Sequence, residues 1–237
     1  MEELLLAWFA EHGRDLPWRG TRDPYAILVS EVMLQQTQVS RVVPRYLEWM
    51  GRWPTVESLA VASPADAIRA WQGLGYNRRG LALHRAARRV AEHGWPDDLT
   101  ELPGVGPYTA AAIGNFAFGR PILPVDVNVG RVLTRSGGEF GPEAAQALFD
   151  LGATLCLARV PRCGDCPLAR TCPSAGRRYE PERKQSPFEG SFRQRRAQLL
   201  RLVAAEPQAV EQDPEAVESL AADGLVVLDG GLARLPS

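Results

Sequence analysis

The stretch LPGVGPYTAAAI, residues 102–113, sets two glycines two positions apart just before an apolar run that opens on Pro107. Glycine lets the backbone bend sharply without a Cβ penalty, and proline suits the first turn of a helix. One helix therefore ends upstream, the chain turns at Gly104-Val105-Gly106, and another helix starts near Pro107. Amides left free at such a start suit a phosphate oxygen. A turn of this kind grips a nucleic-acid backbone and positions a protein without reading sequence. An ordinary helix–helix turn is the alternative reading.

Working outward, the pattern is helical almost throughout. Apolar residues recur at three- and four-residue steps over 2–12, 26–34, 39–50, 64–72, 80–93, 106–118 and 142–155, and 126–135 reads as another helix. Proline and glycine separate these runs, and Asp23-Pro24 and Ser63-Pro64 read as helix starts. No alternating strand pattern is visible before residue 220. From Arg177 to about Gln198 the chain turns polar, with Pro181, Pro187, Gly190 and several arginines, and reads as a linker. Helices follow over 193–205 and 214–223, then two short apolar runs flank Asp229-Gly230-Gly231, a hairpin signal. Helix, helix, hairpin resembles half of a winged-helix module; a simple packing appendage explains it as well.

The chain has 237 residues, 45% of them hydrophobic, which predicts one or two packed cores and excludes wholesale disorder. No apolar run approaches the roughly 20 residues that span a bilayer, and the acidic start MEELLLAWFAEH lacks the pattern of a secretory signal. An intracellular protein with no membrane partner is expected. Formal net charge is −1, but residues 202–237 carry seven acids against one base. The remaining 26 bases and 21 acids leave the body at +5, which permits a nucleic-acid partner. Lys184 is the sole lysine, so a mechanism needing an activated lysine has one candidate, in a polar stretch.

All four cysteines fall in the pattern C-x6-C-x2-C-x5-C: Cys156, Cys163, Cys166 and Cys172. With no sign of secretion, four such close thiols read as one metal site rather than two disulfides. Zinc and a four-iron cluster both accept four thiolates, and spacing alone leaves the choice open. Two carboxylates also stand out. Asp126 begins a helix beside an apolar run and after a proline-bounded loop, where it is either a helix cap, a chemical group, or both. Glu31 lies among Val29, Met33 and Leu34. Buried there, a carboxyl would hold its proton more readily and could donate it; half-exposed, it would do neither.

Taken together, LPWR (16–19), DPYAILVSEVMLQQTQV (23–39), WQGLGY (71–76), LPGVGPYTA (102–110), VDVNVGRVL (125–133) and the cysteine run resemble the adenine DNA glycosylases of the MutY type. That family belongs to the helix-hairpin-helix, endonuclease III-like superfamily, and the likeness covers roughly residues 1–175. The resemblance implies a mainly α, two-lobed fold with DNA and a flipped base between the lobes. A six-helix domain with the hairpin would span 22–134, an iron–sulfur domain 1–21 plus 135–176, a linker 177–192 and a small module 193–237. It further implies a [4Fe-4S] cluster on Cys156, Cys163, Cys166 and Cys172.

Residue by residue, Glu31 matches the acid that protonates adenine N7, and Asp126 the carboxylate that steadies or transiently bonds the sugar cation. Tyr108 and Asn128 match residues supporting that intermediate. Arg19, Leu34, Gln35, Gln36, Tyr76 and Gln146 fall at positions resembling the base pocket and DNA contacts, with Gly104, Val105 and Gly106 in the hairpin turn. Strand-cutting relatives carry a Schiff-base lysine where this chain has Tyr108. The resemblance therefore implies a monofunctional, monomeric enzyme on double-stranded DNA with a mispair or damaged base, in a bacterial cytoplasm at the nucleoid. Relatives that take thymine or uracil from mismatches with G tend to lack the acid at Glu31. A non-enzymatic DNA-binding iron–sulfur protein would leave both acids without a role. The family usually adds a C-terminal domain that reads 8-oxoguanine. The roughly sixty residues after Gly176 are too few for it and resemble the short tail of some high-GC bacterial members. The segment between Arg135 and Ala145 is also short.

Overall fold

Helix starts in this chain follow from local hydrogen bonding. Ser63 Oγ accepts from the Asp66 N–H at 3.1 Å, and Thr55 and Ser58 cap each other reciprocally at 3.3 and 3.1 Å. The computed structural model describes residues 1–180 and 187–237; Lys184 and the centre of the expected linker lie outside them. Among the described residues are α1 (Glu2–His12), α2 (Pro24–Leu34), α3 (Val39–Arg52), α4 (Val56–Ala60), α5 (Pro64–Trp71), α6 (Arg78–His93) and α7 (Pro107–Phe116). They continue with α8 (Val127–Ser136), α9 (Ala145–Thr154), α10 (Phe192–Ala205) and α11 (Pro214–Ala222), joined by β1 (Gln208–Ala209), β2 (Val227–Asp229) and β3 (Leu232–Arg234). The mainly helical fold expected from the sequence is the fold observed. The sequence pattern passes over α4, because five residues are too few to show a period. The expected helix over 142–155 is a 3-10 turn, Pro142–Ala144, followed by α9.

The chain divides into two compact units: residues 1–24 with the described part of 106–184, and 25–105 with the described part of 185–237. In the first, Leu5 of α1, Val129 and Val132 of α8, and Leu148 and Leu151 of α9 form a buried cluster. In the second, every residue of α2 from Tyr25 to Met33 is buried. The Tyr25 hydroxyl donates to the Trp53 carbonyl at 3.0 Å and accepts from Trp49 Nε1 at 3.2 Å. Trp71 meets Trp49 edge-on at 5.6 Å. Gly80 on α6 leaves room for that stack, since a Cβ there would sit 2.6 Å from the Trp71 ring.

The tail packs into the same second unit. Leu199, Leu200 and Val203 of α10 and Val217 and Leu220 of α11 close on Ile68 of α5 and Leu81 of α6. Burying such side chains contributes roughly 1.5–3 kcal/mol each. The expected hairpin is β2–β3, with Asp229 opposite Leu232. Gly230 and Gly231 both take positive φ, +56° and +78°, as a two-residue turn of the primed type requires. A strand stands earlier than the sequence pattern allows. β1 pairs with β3 to give the order β1-β3-β2, and its two residues are too few for any alternation to show.

Within α6, His84 is 1% exposed, with Nε2 2.9 Å from the Ala62 carbonyl oxygen. Burial pushes the imidazole below its ordinary value, against the Ala62 bond that favours the charged form, and Arg88 and Arg85 add to the lowering. A lowered histidine gives full stability above its unfolded value of about 6.5 and loses it as pH falls toward the folded value. The thermal midpoint should therefore fall as pH drops from about 7.5 to 5. His84→Gln, which keeps a nitrogen donor but cannot titrate, should show a flatter profile. Equal slopes for the two proteins would contradict this.

Candidate active site

In the 102–113 turn the two glycines serve different ends. Gly104 takes φ +79°, and a Cβ there would lie 2.8 Å from the Ala82 methyl of α6, so the position excludes side chains twice over. The Val105 N–H closes the turn on the Leu102 carbonyl at 3.1 Å, and the Val105 side chain is buried. Gly106 is extended and caps α7 with open space around its Cβ position.

In the second unit, Glu31 sits on the buried face of α2, 7% exposed. Leu34 ends that helix half-buried; Gln35 is half-buried and Gln36 exposed in the turn beyond it. Tyr76, half exposed, lies in the α5–α6 connection. Gln36 and Tyr76 are the non-glycine residues with positive φ among those described, at 56° and 47°.

In the first unit, Asp126 is both cap and fixed carboxylate. Its Oδ1 accepts from the N–H groups of Asn128 and Val129 at 2.9 and 2.7 Å. Its Oδ2 accepts from Asn128 Nδ2 at 2.9 Å. Asn128 is held in turn by Arg131, whose Nη2 donates to Asn128 Oδ1 at 2.8 Å. The same guanidinium reaches the Gly152 carbonyl at 2.8 Å and the Cys156 carbonyl at 2.7 Å. Gly152 lies against Asn128; a Cβ there would approach Asn128 Cβ at 2.9 Å and its carbonyl oxygen at 3.1 Å. Tyr108, on the first turn of α7, meets the Phe149 ring edge-on at 6.3 Å. Gln146 is half-buried on the first turn of α9.

Arg19 is committed to an ion pair inside the fold. Its two terminal nitrogens donate to Asp150 at 2.8 and 2.5 Å. Arg14 adds its backbone N–H and Nε, both at 2.8 Å. Asp150 is fully buried on α9. Burial alone would raise its carboxyl; hydrogen bonds from Arg19 and Arg14 outweigh that and hold it below the ordinary range. Asp150, Arg131 and Gly152 are absent from the sequence-derived candidates. A lone acid inside ALFDLGATL was the available signal for the first, since a carboxylate among core residues needs a buried partner.

Cys156, Cys163, Cys166 and Cys172 line one small cavity with Arg135 and Leu155. Arg135 is 9% exposed and donates to the carbonyls of Leu157 and Ala158 at 2.7 Å each. Its Nη1 lies 3.7 Å from Cys156 Sγ, and the Tyr179 ring stacks on the guanidinium at 3.6 Å. Burial pushes the Cys166 thiol up, opposed by a backbone hydrogen bond from Leu168, and the other three cysteines push it further. Among the described residues no three His, Cys, Asp or Glu side chains converge on a single metal-ion position. Four thiols around a shared cavity, with a guanidinium beside them, are the donor chemistry of a thiolate-bound metal group.

Removing one partner from the buried ion pair should be costly. Asp150→Asn keeps the shape and strands two guanidinium groups, so unfolding by denaturant should show a loss of about 3–5 kcal/mol. A loss below about 1 kcal/mol, typical of surface pairs, would contradict these roles for Arg14 and Arg19.

A family model described as "HhH-GPD superfamily base excision DNA repair protein" matches residues 29–151. Adenine DNA glycosylase of Mycobacterium tuberculosis (strain ATCC 25618 / H37Rv) is 40% identical over 282 aligned positions, covering 97% of this chain and 91% of that protein. That alignment is longer than this chain, so the relative carries segments missing here. Human adenine DNA glycosylase is 39% identical over 75% of this chain and 40% of its own length. Among solved structures, a thermostable thymine-DNA glycosylase matches with a TM-score of 0.64 and 28% identity over 73% of this chain and 94% of that one. Endonuclease III trapped covalently on DNA matches with a TM-score of 0.63 and 21% identity, over 73% and 93%, a likeness of fold. The chain belongs to the adenine DNA glycosylase family, within the HhH-GPD superfamily of base excision DNA repair proteins.

Proposed function

We propose that this chain is a monofunctional, monomeric DNA glycosylase that hydrolyses the N-glycosidic bond of adenine mispaired with 8-oxoguanine or G and leaves an abasic site. The observation that carries the reading is the carboxylate of Asp126, held by three hydrogen bonds from Asn128 and Val129. A base inside a duplex is out of reach, so it must first be extruded. Adenine leaves poorly unless its ring is protonated, and a buried carboxyl such as Glu31 can supply that proton. As the bond lengthens, positive charge grows on the deoxyribose, and an anion already in place lowers the barrier without rearranging. Asp126 fills that role, with Asn128 keeping it in line and Tyr108 supporting it. This is the two-carboxylate logic of glycoside cleavage applied to a C–N bond.

The turn at Gly104, Val105 and Gly106 would hold the phosphate backbone. Gln35, Gln36, Leu34 and Tyr76 would enter the duplex around the extruded nucleotide. Arg19 would act indirectly, through its ion pair with Asp150, and Gln146 would contact the extruded base from α9. Tyr108 supplies no amine, and Lys184 is the sole lysine, so strand cleavage through a Schiff base is not expected. Cys156, Cys163, Cys166 and Cys172 would hold a [4Fe-4S] cluster, as superfamily membership suggests. Such a cluster would be held by the four thiolates and would supply electron-transfer chemistry where that is called on; base release is assigned to the side chains of Glu31 and Asp126. Among the described residues no helix is long and apolar enough to cross a membrane. The place of action proposed is the bacterial cytoplasm at the nucleoid.

The deciding experiment offers the protein duplexes with A, T, U or hypoxanthine opposite G or 8-oxoguanine and scores abasic sites. Release of adenine above the others supports the proposal. Preferential release of thymine would replace it with the activity for which one structural neighbour, the thermostable thymine-DNA glycosylase, is named.

Asp126→Asn should slow adenine release by about 10²–10³-fold, and Glu31→Gln by about 10²–10⁴-fold, in single-turnover assays with DNA affinity near normal. Gly152→Ala should also slow release, because the new methyl displaces Asn128. A wild-type rate in Gly152→Ala would separate Asn128 from the chemistry. Iron and acid-labile sulfide assays on purified protein check the cluster; zinc in their place would overturn it.

A further inference from the structure

We infer that Arg79 is a positioning residue that sets the two DNA-probing tips of the second unit, Gln36 and Tyr76, with one guanidinium. The inference rests on the glycosylase reading for what the tips touch, and on geometry for how they are held.

Arg79 lies on the first turn of α6, next to the end of α2. The last four carbonyls of a helix lack partners within it and carry partial negative charge. Arg79 Nη1 donates to the Val32 carbonyl at 2.8 Å, lies 3.4 Å from that of Met33, and bonds the Gln35 carbonyl. Its Nη2 donates to Thr37 Oγ1 at 3.2 Å, to the Leu74 carbonyl at 3.4 Å and to the Gly75 carbonyl at 3.2 Å. The guanidinium also lies over the rings of Trp71 and Tyr76 at 5.5 and 5.4 Å. Burial draws it down to about 10, with Tyr76 opposing, so it stays a cation at neutral pH.

Two of these acceptors matter most. Gln35 and Gly75 immediately precede Gln36 and Tyr76, the residues with left-handed φ. Residues with a Cβ avoid that region unless surroundings hold them there. Arg79 thus holds the peptide unit leading into each tip, sharing the Gly75 carbonyl with Trp71 Nε1 at 3.1 Å. A lysine carries one compact ammonium and cannot span both sets of carbonyls as a planar fork does. Loss of Arg79 should therefore release both tips together and leave the tryptophan-lined core intact.

The test is a pair of double-mutant cycles. Affinity is measured for a duplex carrying a tetrahydrofuran abasic analogue opposite G, which binds without reacting. Tyr76→Ala and Gln36→Ala are made in wild type and in Arg79→Met. Losing an aromatic stacked on a base weakens binding by about tenfold. The expectation is that Arg79→Met alone costs at least as much, and that each tip substitution then costs little more. Multiplying losses, or wild-type affinity in Arg79→Met, would overturn the role. Arg79→Lys runs the same cycles if Arg79→Met does not fold. A second measurement needs no DNA: in Arg79→Lys, amide exchange should quicken at both turns, 35–37 and 75–77, while the α3 core keeps its protection. Unchanged exchange at both turns would overturn the inference. Wild-type protein inactive on adenine would instead defeat the glycosylase reading, leaving the exchange result to judge Arg79.

Discussion

The carboxylate of Asp126 is the fixed point of the first unit. Two backbone amides and one side-chain amide orient it, and Arg131 orients that side chain while also holding the Gly152 and Cys156 carbonyls. A helix cap usually stabilises its helix by about 1 kcal/mol and does nothing else. Here the capping bonds also hold the carboxylate in one orientation, which under the proposed function would spare the energy of reorienting it as charge develops. The absence of a side chain at Gly152 keeps Asn128 where this requires. The same arginine joins the helix that bears the carboxylate to the first cysteine of the thiol cavity, so local folding and site geometry share one set of bonds.

The second unit solves a different problem. Its central helix is buried along nearly its whole length, which leaves the helix end and the following turn needing partners. Arg79 supplies them, and its donors extend to the α5–α6 connection. The tail is part of this unit rather than a free appendage. Its apolar side chains share a cluster with α5 and α6, and Asp223 pairs with both Arg78 and Arg196. The exposed side of α11 carries Glu215, paired with Arg195 at 3.1 Å, and Glu218.

Much of this was legible in the sequence where the signal is local. Helices announced themselves by period, caps by Ser63 and Asp126, the primed turn by Gly230-Gly231. Four cysteines within seventeen residues can hardly avoid sharing a site. What stayed hidden depends on partners far along the chain. Asp150 meets Arg14 and Arg19 across more than 130 positions, and no local pattern marks that pairing. Arg79 and Arg131 are two arginines in a chain rich in them, and their importance comes from which carbonyls they reach. Glu31 and Asp126 stood out because a carboxylate beside apolar residues is costly, a signal that marks the position and not the bonds that hold it. The two-residue β1 has no sequence period at all.

Under the proposed function, the Asp126 carboxylate fixed by Asn128 would stand ready for a cation on the sugar. The most direct measurement compares two unreactive duplexes that differ only in charge at the target sugar, a cationic pyrrolidine and a neutral tetrahydrofuran. Wild-type protein should prefer the cation by about tenfold or more, as one well-placed ion pair of about 1.4 kcal/mol implies, and Asp126→Asn should lose this preference while binding the neutral duplex as before. Equal affinity of the wild-type protein for both duplexes would contradict the claim.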